Sequence, residues 1–133
     1  MILPDVNLLI HAHNQRSPHH EAARLWWDAV LSGSEGVRLP LATLLGFIRI
    51  TTNRSVLANP WSVEEVLGRV ESWLDQPNVR LLQPQERHVS LLLSLLRHVG
   101  TAGNLTTDAH LAALAIEQGC TLYSTDTDFA RFP

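Results

Sequence analysis

The stretch of sequence that decides the fold reads ILPDVNLLI and spans residues 2–10. Its first three residues are apolar, Asp5 follows them directly, and residues 6–10 carry mostly apolar side chains that suit a helix. This pattern predicts a short buried strand that ends at Asp5 and a helix that starts just after it. The carboxylate of Asp5 therefore stands at the carboxyl end of a strand, where ligands collect in parallel α/β sheets.

Further short apolar runs alternate with longer helical patterns along the rest of the chain. The other predicted strands cover residues 37–39, 79–82 and 121–123. The other predicted helices cover residues 18–32, 41–52, 62–75, 86–99 and 106–118. This alternation indicates an α/β domain with a mainly parallel sheet and helices on both of its faces.

Several residues mark the predicted helix ends and the core. Ser17 before Pro18 is typical of a helix start, and so is Thr106 or Thr107 at the last helix. Ser62 and Glu65 have the spacing of a capping box. Trp26 and Trp73 lie in apolar helical stripes and are predicted to be core residues. The segment 41–52 is apolar nearly all round, which predicts a helix buried in the fold or in a subunit interface.

Length and composition limit the possible classes of protein. The chain has 133 residues, of which 45% are hydrophobic and 17% charged, so a single folded domain over residues 1–133 is expected. No apolar run approaches the roughly 18 residues of a membrane-spanning helix, and the first residues lack the basic region of a secretory signal. The single cysteine, Cys120, fits a reducing compartment, so a cytoplasmic location is expected.

The charged residues suggest an acidic pocket rather than a basic surface. The formal net charge is −3, and all ten basic residues are arginine. This balance argues against a protein that coats nucleic acid through bulk charge. It is compatible with an enzyme that holds a cation and meets phosphates through a few arginines. Arg49 and Arg54 are candidates for such a phosphate contact, and the simpler explanation is a salt bridge or a helix-end charge.

Four of the six aspartates fall where a parallel sheet would bring them together. Asp5 follows the first strand, Asp126 and Asp128 follow the last strand, and Asp108 lies in the first turn of the helix before that strand. Each one alone has a plain explanation as a turn residue or as a complement to a helix dipole. Together they fit a site for a hard cation, because Mg²⁺ and Mn²⁺ take oxygen ligands.

Such a site suits a nuclease or a phosphatase. A bound Mg²⁺ polarises a phosphoryl oxygen and lowers the pKa of a bound water, which provides a nucleophile at neutral pH. Haloacid-dehalogenase-like and TOPRIM-like enzymes also use a DxD motif such as the one formed by Asp126 and Asp128. The former place it on the first strand and the latter pair it with an upstream Glu, and neither arrangement matches Asp5.

Three motifs resemble those of PIN-domain proteins. The first is DVNLLI at residues 5–10, and the others are GNLTTDAHLAALA at 103–115 and STDTDF at 124–129. The central LLGFIRI at 44–50, followed by Thr52 and Asn53, resembles the actinobacterial branch of VapC toxins. The resemblance covers essentially the whole chain. It implies a PIN-like three-layer fold with four to five short strands, and a Mg²⁺-dependent endoribonuclease that is the toxin of a VapBC toxin–antitoxin pair.

The same resemblance implies roles for individual residues. The family's metal-site acids correspond to Asp5, Asp108 and Asp126, and Asp128 matches a further acidic position. Asn7 matches a small polar position near the site, and Thr107 is a supporting residue beside Asp108. Mn²⁺ is expected to substitute for Mg²⁺.

The resemblance also implies partners. It implies an RNA substrate, a homodimer, and a VapB-type antitoxin whose tail fills the acidic groove. The segments 44–50 and 91–96 carry more apolar surface than one small core needs, which independently favours a dimer.

One position departs from the family pattern. Many PIN toxins carry a Glu in the central helix, and here Gly46 stands at that position. A metal site with one carboxylate fewer is expected to bind its cation weakly. The departure leaves open a second hypothesis, a catalytically weak PIN domain that acts by binding RNA or its antitoxin.

Overall fold

Short strands and longer helices alternate along the described part of the chain, which comprises residues 1–55, 57 and 59–125 of the computed structural model. The elements are β1 (Ile2–Pro4), α1 (Val6–His13), α2 (His20–Ser32), β2 (Val37–Pro40), α3 (Leu41–Thr51), α4 (Val63–Leu74), β3 (Val79–Leu82), α5 (His88–Val99), α6 (Thr106–Gln118) and β4 (Thr121–Tyr123). A 3-10 turn over Gly103–Leu105 leads into α6. In these ranges no helix is long and apolar enough to cross a membrane.

The strands of the described chain form one parallel sheet with the order β3-β2-β1-β4. The first strand therefore lies inside the sheet, with β2 on one side and β4 on the other. Ile2 is in register with Val37 of β2 and with Thr121 of β4. All three pairings are parallel, which confirms the predicted α/β architecture and brings the carboxyl ends of the strands to one edge.

Helices cover both faces of the sheet, as predicted. On one face α1 to α4 enclose a core that includes Leu9, Trp27, Leu39, Phe47 and Trp73. On the other face α6 packs on the sheet through a smaller cluster that includes Leu3, Leu82, Leu111 and Leu114. The helix α5 packs behind α6 through Leu95, Ala112 and Ala113. The result is a three-layer domain whose strands are short and whose helices supply most of the core.

The predicted capping box of α4 is present, whereas the predicted cap of α2 is wrong. Ser62 Oγ accepts the backbone N–H of Glu65, and the Glu65 side chain returns to the Ser62 backbone N–H. Ser17, by contrast, lies in a turn before α2, where its hydroxyl accepts the backbone N–H of His19 and bonds to His11 Nδ1. The helix consequently begins two residues after Pro18, at His20.

Neither threonine caps α6, which corrects a second predicted helix start. The 3-10 turn runs directly into the helix, so Thr106 is already its first residue and Leu105 takes the cap position without a side-chain hydrogen bond. The start of α5 also lies later than predicted. The Glu117 carboxylate accepts the backbone N–H groups of Gln85 and Arg87 ahead of α5, at 3.0 and 2.9 Å.

The central helix α3 is buried on one side only. Thr43, Leu44, Phe47 and Thr51 are buried, whereas Leu41 and Leu45 are 59% and 57% exposed. A helix buried all round within the fold, one of the two predicted possibilities, is therefore wrong. The exposed side carries large apolar side chains.

Candidate active site

Asp5 is a buried carboxylate at the carboxyl edge of the sheet. Its backbone N–H donates to the carbonyl of Tyr123 at the end of β4, and its carbonyl accepts the N–H of Leu8 in α1. Asp5 therefore directly follows β1 and is the N-cap of α1, and its side chain does not cap the helix. Only 3% of Asp5 is exposed. The carboxylate is thus held next to the end of β4 by backbone bonds that do not depend on its own charge.

Ser124 supports this carboxylate directly. Its Oγ donates to Asp5 Oδ2 at 2.7 Å, across a separation of 119 residues in the sequence. A hydrogen bond to an ionised carboxylate is about twice as strong as one between neutral groups. Ser124 was not among the predicted site residues. The sequence does show that Ser124 follows a predicted strand directly. This position points to Asp5 only when β4 is known to pair with β1.

Asp108 approaches the same edge from the other face of the sheet. It is a half-buried residue in the first turn of α6. That helix ends at Gln118, just before β4 begins, and therefore runs antiparallel to β4. Its first turn is thus at the level where the strands end. Thr107, the predicted supporting residue, is exposed in the same turn.

Asp126 and Asp128 lie outside the described residues, so their predicted place in the site stays a prediction. Within the residues that are described, no three His, Cys, Asp or Glu side chains lie close enough together to hold a metal ion. The chemistry of the described part nevertheless fits a hard cation. Asp5 has a buried carboxylate held by a hydroxyl, and Asp108 is a second carboxylate, in the first turn of α6. Oxygen donors of this kind would suit Mg²⁺ or Mn²⁺.

Three other residues were predicted to belong to the site, namely Asn7, Arg49 and Arg54. Asn7 is half-buried in the first turn of α1. Among the described residues its side chain makes no hydrogen bond to Asp5, whereas the side chain of Ser124 does. Arg49 and Arg54 are exposed at the end of α3 and just after it. In the described part of the chain neither guanidinium has an ion pair, so both are free to meet an anion from solvent.

Gly46 brings two helices close together beside Asp5. A Cβ atom at this position would lie 3.3 Å from Val6 Cγ2 and 3.9 Å from Val6 Cβ. Val6 is the first residue of α1 and follows Asp5 directly. The position where many PIN toxins carry a carboxylate therefore lies next to Val6, the residue after Asp5, and a side chain at position 46 would begin in close contact with Val6.

Two histidines, His11 and His110, have lowered pKa values and lie near Asp5 and Asp108 in the chain. His11 Nδ1 lies 2.7 Å from Ser17 Oγ, and burial, with a contribution from His19, lowers the pKa of His11 while the Asp5 carboxylate opposes the shift. His110 lies two residues after Asp108, and its Nδ1 is 2.8 Å from His88 Nε2. Burial and then the neighbouring His88 lower the pKa of His110. Both rings are therefore expected to be uncharged at neutral pH.

Comparison with known proteins identifies related chains over the full length. The family described as PIN domain matches residues 2–133. Ribonuclease VapC33 of Mycobacterium tuberculosis is 45% identical over 132 residues, which are 99% of this chain and 92% of that protein. The fold is similar to that of the solved Mycobacterium tuberculosis VapC20, described as a sarcin-ricin loop cleaving toxin. The two share 18% identity with a TM-score of 0.70 over 98% of this chain and 93% of the other.

A second solved structure has a similar fold. It is VapBC2 from Rickettsia felis bound to a DNA fragment from its promoter, with 15% identity and a TM-score of 0.71. The alignment covers 100% of this chain and 94% of that chain. At these low sequence identities, the two structures support only the fold of this chain. The fold expected from the three sequence motifs is therefore confirmed.

Proposed function

The chain belongs to the VapC ribonuclease group of the PIN-domain family, and we propose that it is a Mg²⁺-dependent endoribonuclease toxin of a toxin–antitoxin pair. The observation that carries this proposal is the buried carboxylate of Asp5 at the carboxyl edge of a parallel sheet, held by Ser124. The name of VapC33 supports ribonuclease activity. A cytoplasmic location, where RNA is accessible, belongs to the same proposal.

In this proposal the aspartates form the reaction centre. Asp5, Asp108 and Asp126 hold the cation, and Asp128 contributes from the same segment. Mg²⁺ held there would polarise the phosphoryl oxygen and lower the pKa of a water. Ser124 keeps Asp5 Oδ2 oriented, and Arg49 or Arg54 pairs with a phosphate of the RNA chain. Asn7 and Thr107 are polar neighbours of the two carboxylates.

The proposed antitoxin is a VapB-type protein that covers the acidic site. The Rickettsia felis neighbour is described as a VapBC complex, which supports a protein partner for a chain of this fold. The negative charge of the Asp cluster favours a basic segment of the antitoxin in the groove. Co-expression with the open reading frame directly upstream, followed by co-purification, tests this partner.

The proposed homodimer uses the exposed side of α3. Leu41, Leu45 and Leu81 are 59%, 57% and 48% exposed and border an apolar groove of about 450 Å³. Because protruding leucines stand beside a depression on the same face, a second copy related by a two-fold axis can fill the groove with its own leucines. Within residues 44–50 Leu44 and Phe47 are buried in the core and Leu45 is exposed, and Leu41, just before this range, adds to the exposed apolar surface.

Light scattering with two variants tests this interface. We expect wild-type protein to be a dimer at micromolar concentration and Leu45→Gln to be a monomer. Val63→Gln is the matched control, because Val63 is an apolar helix residue with the same 57% exposure as Leu45 but lies on α4. A monomeric wild type, or dimers of both variants, would contradict the proposed interface.

The function itself is tested by RNA cleavage with purified protein. Wild type is expected to cleave RNA with millimolar Mg²⁺ or Mn²⁺, and Asp5→Asn and Asp108→Asn are expected to abolish cleavage while the fold is retained. Asp75→Asn is the matched control, because Asp75 is an exposed aspartate at the end of α4. Loss of activity in that control, or full activity of Asp108→Asn, would remove the site assignment.

The same experiment separates the alternatives. Hydrolysis of phosphate monoesters without RNA cleavage would indicate another Mg²⁺-dependent phosphohydrolase. RNA binding without cleavage would indicate the catalytically weak binding domain that Gly46 suggests. Excess EDTA is expected to stop cleavage and Mn²⁺ to restore it. Zn²⁺ is expected to restore it poorly, because it prefers nitrogen and sulfur ligands in tetrahedral geometry.

A further inference from the structure

A polar cleft lies at the end of α1 that is far from Asp5. It has a volume of about 270 Å³, and its lining includes Asn14, Gln15, Asn59 and Trp61. Asn14 directly follows α1, so it lies roughly 13 Å from Asp5 along the helix at a rise of about 1.5 Å per residue. The cleft is therefore separate from the Asp cluster, and a nucleic-acid strand bound at Asp5 spans this distance within a few nucleotides.

Amide side chains supply much of the polar lining of this cleft. Gln15 and Asn59 are exposed, and neither makes a side-chain hydrogen bond among the described residues. The side-chain carbonyl of Asn14 accepts the backbone N–H of Arg16 at 3.1 Å, which leaves the NH₂ group of Asn14 able to donate. An amide carries donors and an acceptor side by side, and the edge of a nucleobase presents the same combination. The lining therefore suits the edge of a base.

Trp61 adds an aromatic surface to the cleft. The indole is half-buried, and the His13 ring packs edge-on against it with the ring centroids 5.5 Å apart. The Arg69 guanidinium stands over the indole, 5.4 Å from the ring centroid, and Arg69 does not belong to the lining of this cleft. These contacts hold the ring in place while part of it stays accessible. A fixed aromatic ring of this kind is a surface on which an unpaired base stacks.

The charge of the cleft favours a single phosphate. Among the described residues no Asp or Glu lines it, and Arg16 is its exposed cation, without an ion pair in the described chain. Burial lowers the pKa of His13, which also lines the cleft, so this imidazole adds no charge at neutral pH. One arginine suits one phosphate group, whereas a strongly acidic protein segment needs more positive charge than this.

We propose that this cleft binds one unpaired nucleotide of the RNA substrate, with the base beside Trp61 and the amides and its phosphate on Arg16. The proposal rests on the proposed ribonuclease function and adds a contact away from the bond that is cleaved. Proteins recognise single-stranded RNA through bases that stack on aromatic side chains and form hydrogen bonds along their edges. A base-paired nucleotide has neither a free face nor a free edge, so a fully paired duplex is expected to bind more weakly.

Fluorescence anisotropy of a labelled, unstructured five-nucleotide RNA measures this contact on the intact protein. The measurement is made in EDTA, which is expected to prevent cleavage and to remove metal from the Asp cluster. We expect the double variant Gln15→Ala/Asn59→Ala to bind about tenfold more weakly than wild type, as for the loss of two hydrogen bonds, and Arg16→Gln to weaken binding as well. Gln85→Ala and Arg97→Gln are the matched controls and should bind like wild type. Both residues are exposed, Arg97 in the last turn of α5 and Gln85 just before that helix.

Two further measurements test the stacked base. Trp61→Phe keeps an aromatic ring and should retain most of the affinity, whereas Trp61→Leu should lose about tenfold or more. Thermal melts show that both variants are folded. An abasic nucleotide at one position of the RNA should weaken binding to wild type, and it should have a smaller effect on Gln15→Ala/Asn59→Ala, which already lacks part of the contact.

Several results would overturn the proposal. These are equal binding by the double variant and its controls, equal binding of intact RNA and of every abasic RNA, and tighter binding of a free nucleoside monophosphate than of the RNA, which would indicate a nucleotide site instead. Variants that lose affinity for the antitoxin but not for RNA would indicate a protein site. Failure of the proposed nuclease is distinct, because it would appear as absent cleavage in Mg²⁺ while the binding differences in EDTA persist.

Discussion

Replacing Gly46 by alanine tests how closely α3 approaches Val6, the residue after Asp5. Two opposing effects apply. Alanine in place of a helix-interior glycine stabilises a helix by about 1 kcal/mol. The new Cβ, however, would lie 3.3 Å from Val6 Cγ2, and Val6 is β-branched and stiff at χ1. Overpacking of this kind costs about 1–3 kcal/mol, so we expect Gly46→Ala to lower the free energy of unfolding by about 0–2 kcal/mol.

Gly68 provides the matched control for this substitution. It also lies inside a helix, α4, but a Cβ at this position would meet nothing within 4 Å. Gly68→Ala should therefore show the helix gain alone, about 1 kcal/mol, or roughly 3–5 °C in melting temperature for a domain of this size. The double variant Val6→Ala/Gly46→Ala relieves the contact and should recover the gain relative to Val6→Ala alone. Urea denaturation of the metal-free proteins gives all five free energies. Equal stabilisation by Gly46→Ala and Gly68→Ala would refute the tight contact.

Gly46→Glu extends the same measurement to the proposed metal site. The Cβ contact is unchanged, and a second carboxylate is added near buried Asp5, so the metal-free melting temperature is expected to fall further than for alanine. Titration calorimetry with Mn²⁺ then decides the role of the position. Tighter Mn²⁺ binding would show that the carboxylate reaches the site, and unchanged affinity with a lowered melt would show a position that serves packing only.

Three further predictions follow from particular contacts. Ser124→Ala removes the donor to Asp5 Oδ2 and should slow RNA cleavage in a gel assay, whereas Ser124→Thr, which keeps the hydroxyl, should retain most of the rate. Ser62→Ala removes the capping box of α4 and should lower the free energy of unfolding in urea by about 0.5–2 kcal/mol, while an unchanged value would show that the cap is not needed. Burial lowers the pKa of His13 below 6.5, so the unfolded chain binds its proton more readily and stability, intact above pH 6.5, should fall as the pH drops below it. Urea midpoints that stay constant between pH 7 and pH 5 would contradict this.

Local patterns were sufficient to predict most elements of the fold. The strands at residues 2–4 and 79–82 are found as predicted, because a short apolar run bounded by polar or turn residues has few other solutions. The capping box of Ser62 and Glu65 was equally readable, since both partners lie within four residues. The sequence also predicted that Asp5 ends a strand and that Asp108 begins a helix, which is all that a local pattern can say about the site.

Features set by distant contacts could not be predicted in this way. Trp26 was predicted as the core residue of α2, yet Trp27 is the buried one and Trp26 is half-buried. The two residues are neighbours in a mostly apolar stretch, so the periodicity of the sequence does not determine which of them faces the core. Packing of Trp27 against Trp73 determines which face of the helix is buried. Ser124 was missed for a similar reason, because only the strand order places β4 beside β1. The close approach at Gly46 is likewise a distance between two helices.

The hydrogen bond between Ser124 and Asp5 has a consequence for the order of events during synthesis. Its two ends are 119 residues apart, and β1 pairs with β4 as well as with β2. At about 5–20 residues per second, a ribosome needs roughly 6–24 s to make the chain between them. During that interval Asp5 has emerged without the strand that completes its surroundings, and the loop to be closed spans 119 residues. A nascent molecule therefore cannot assemble this carboxylate site until β4 is free to join the sheet, which delays the proposed nuclease until β4 has left the ribosome.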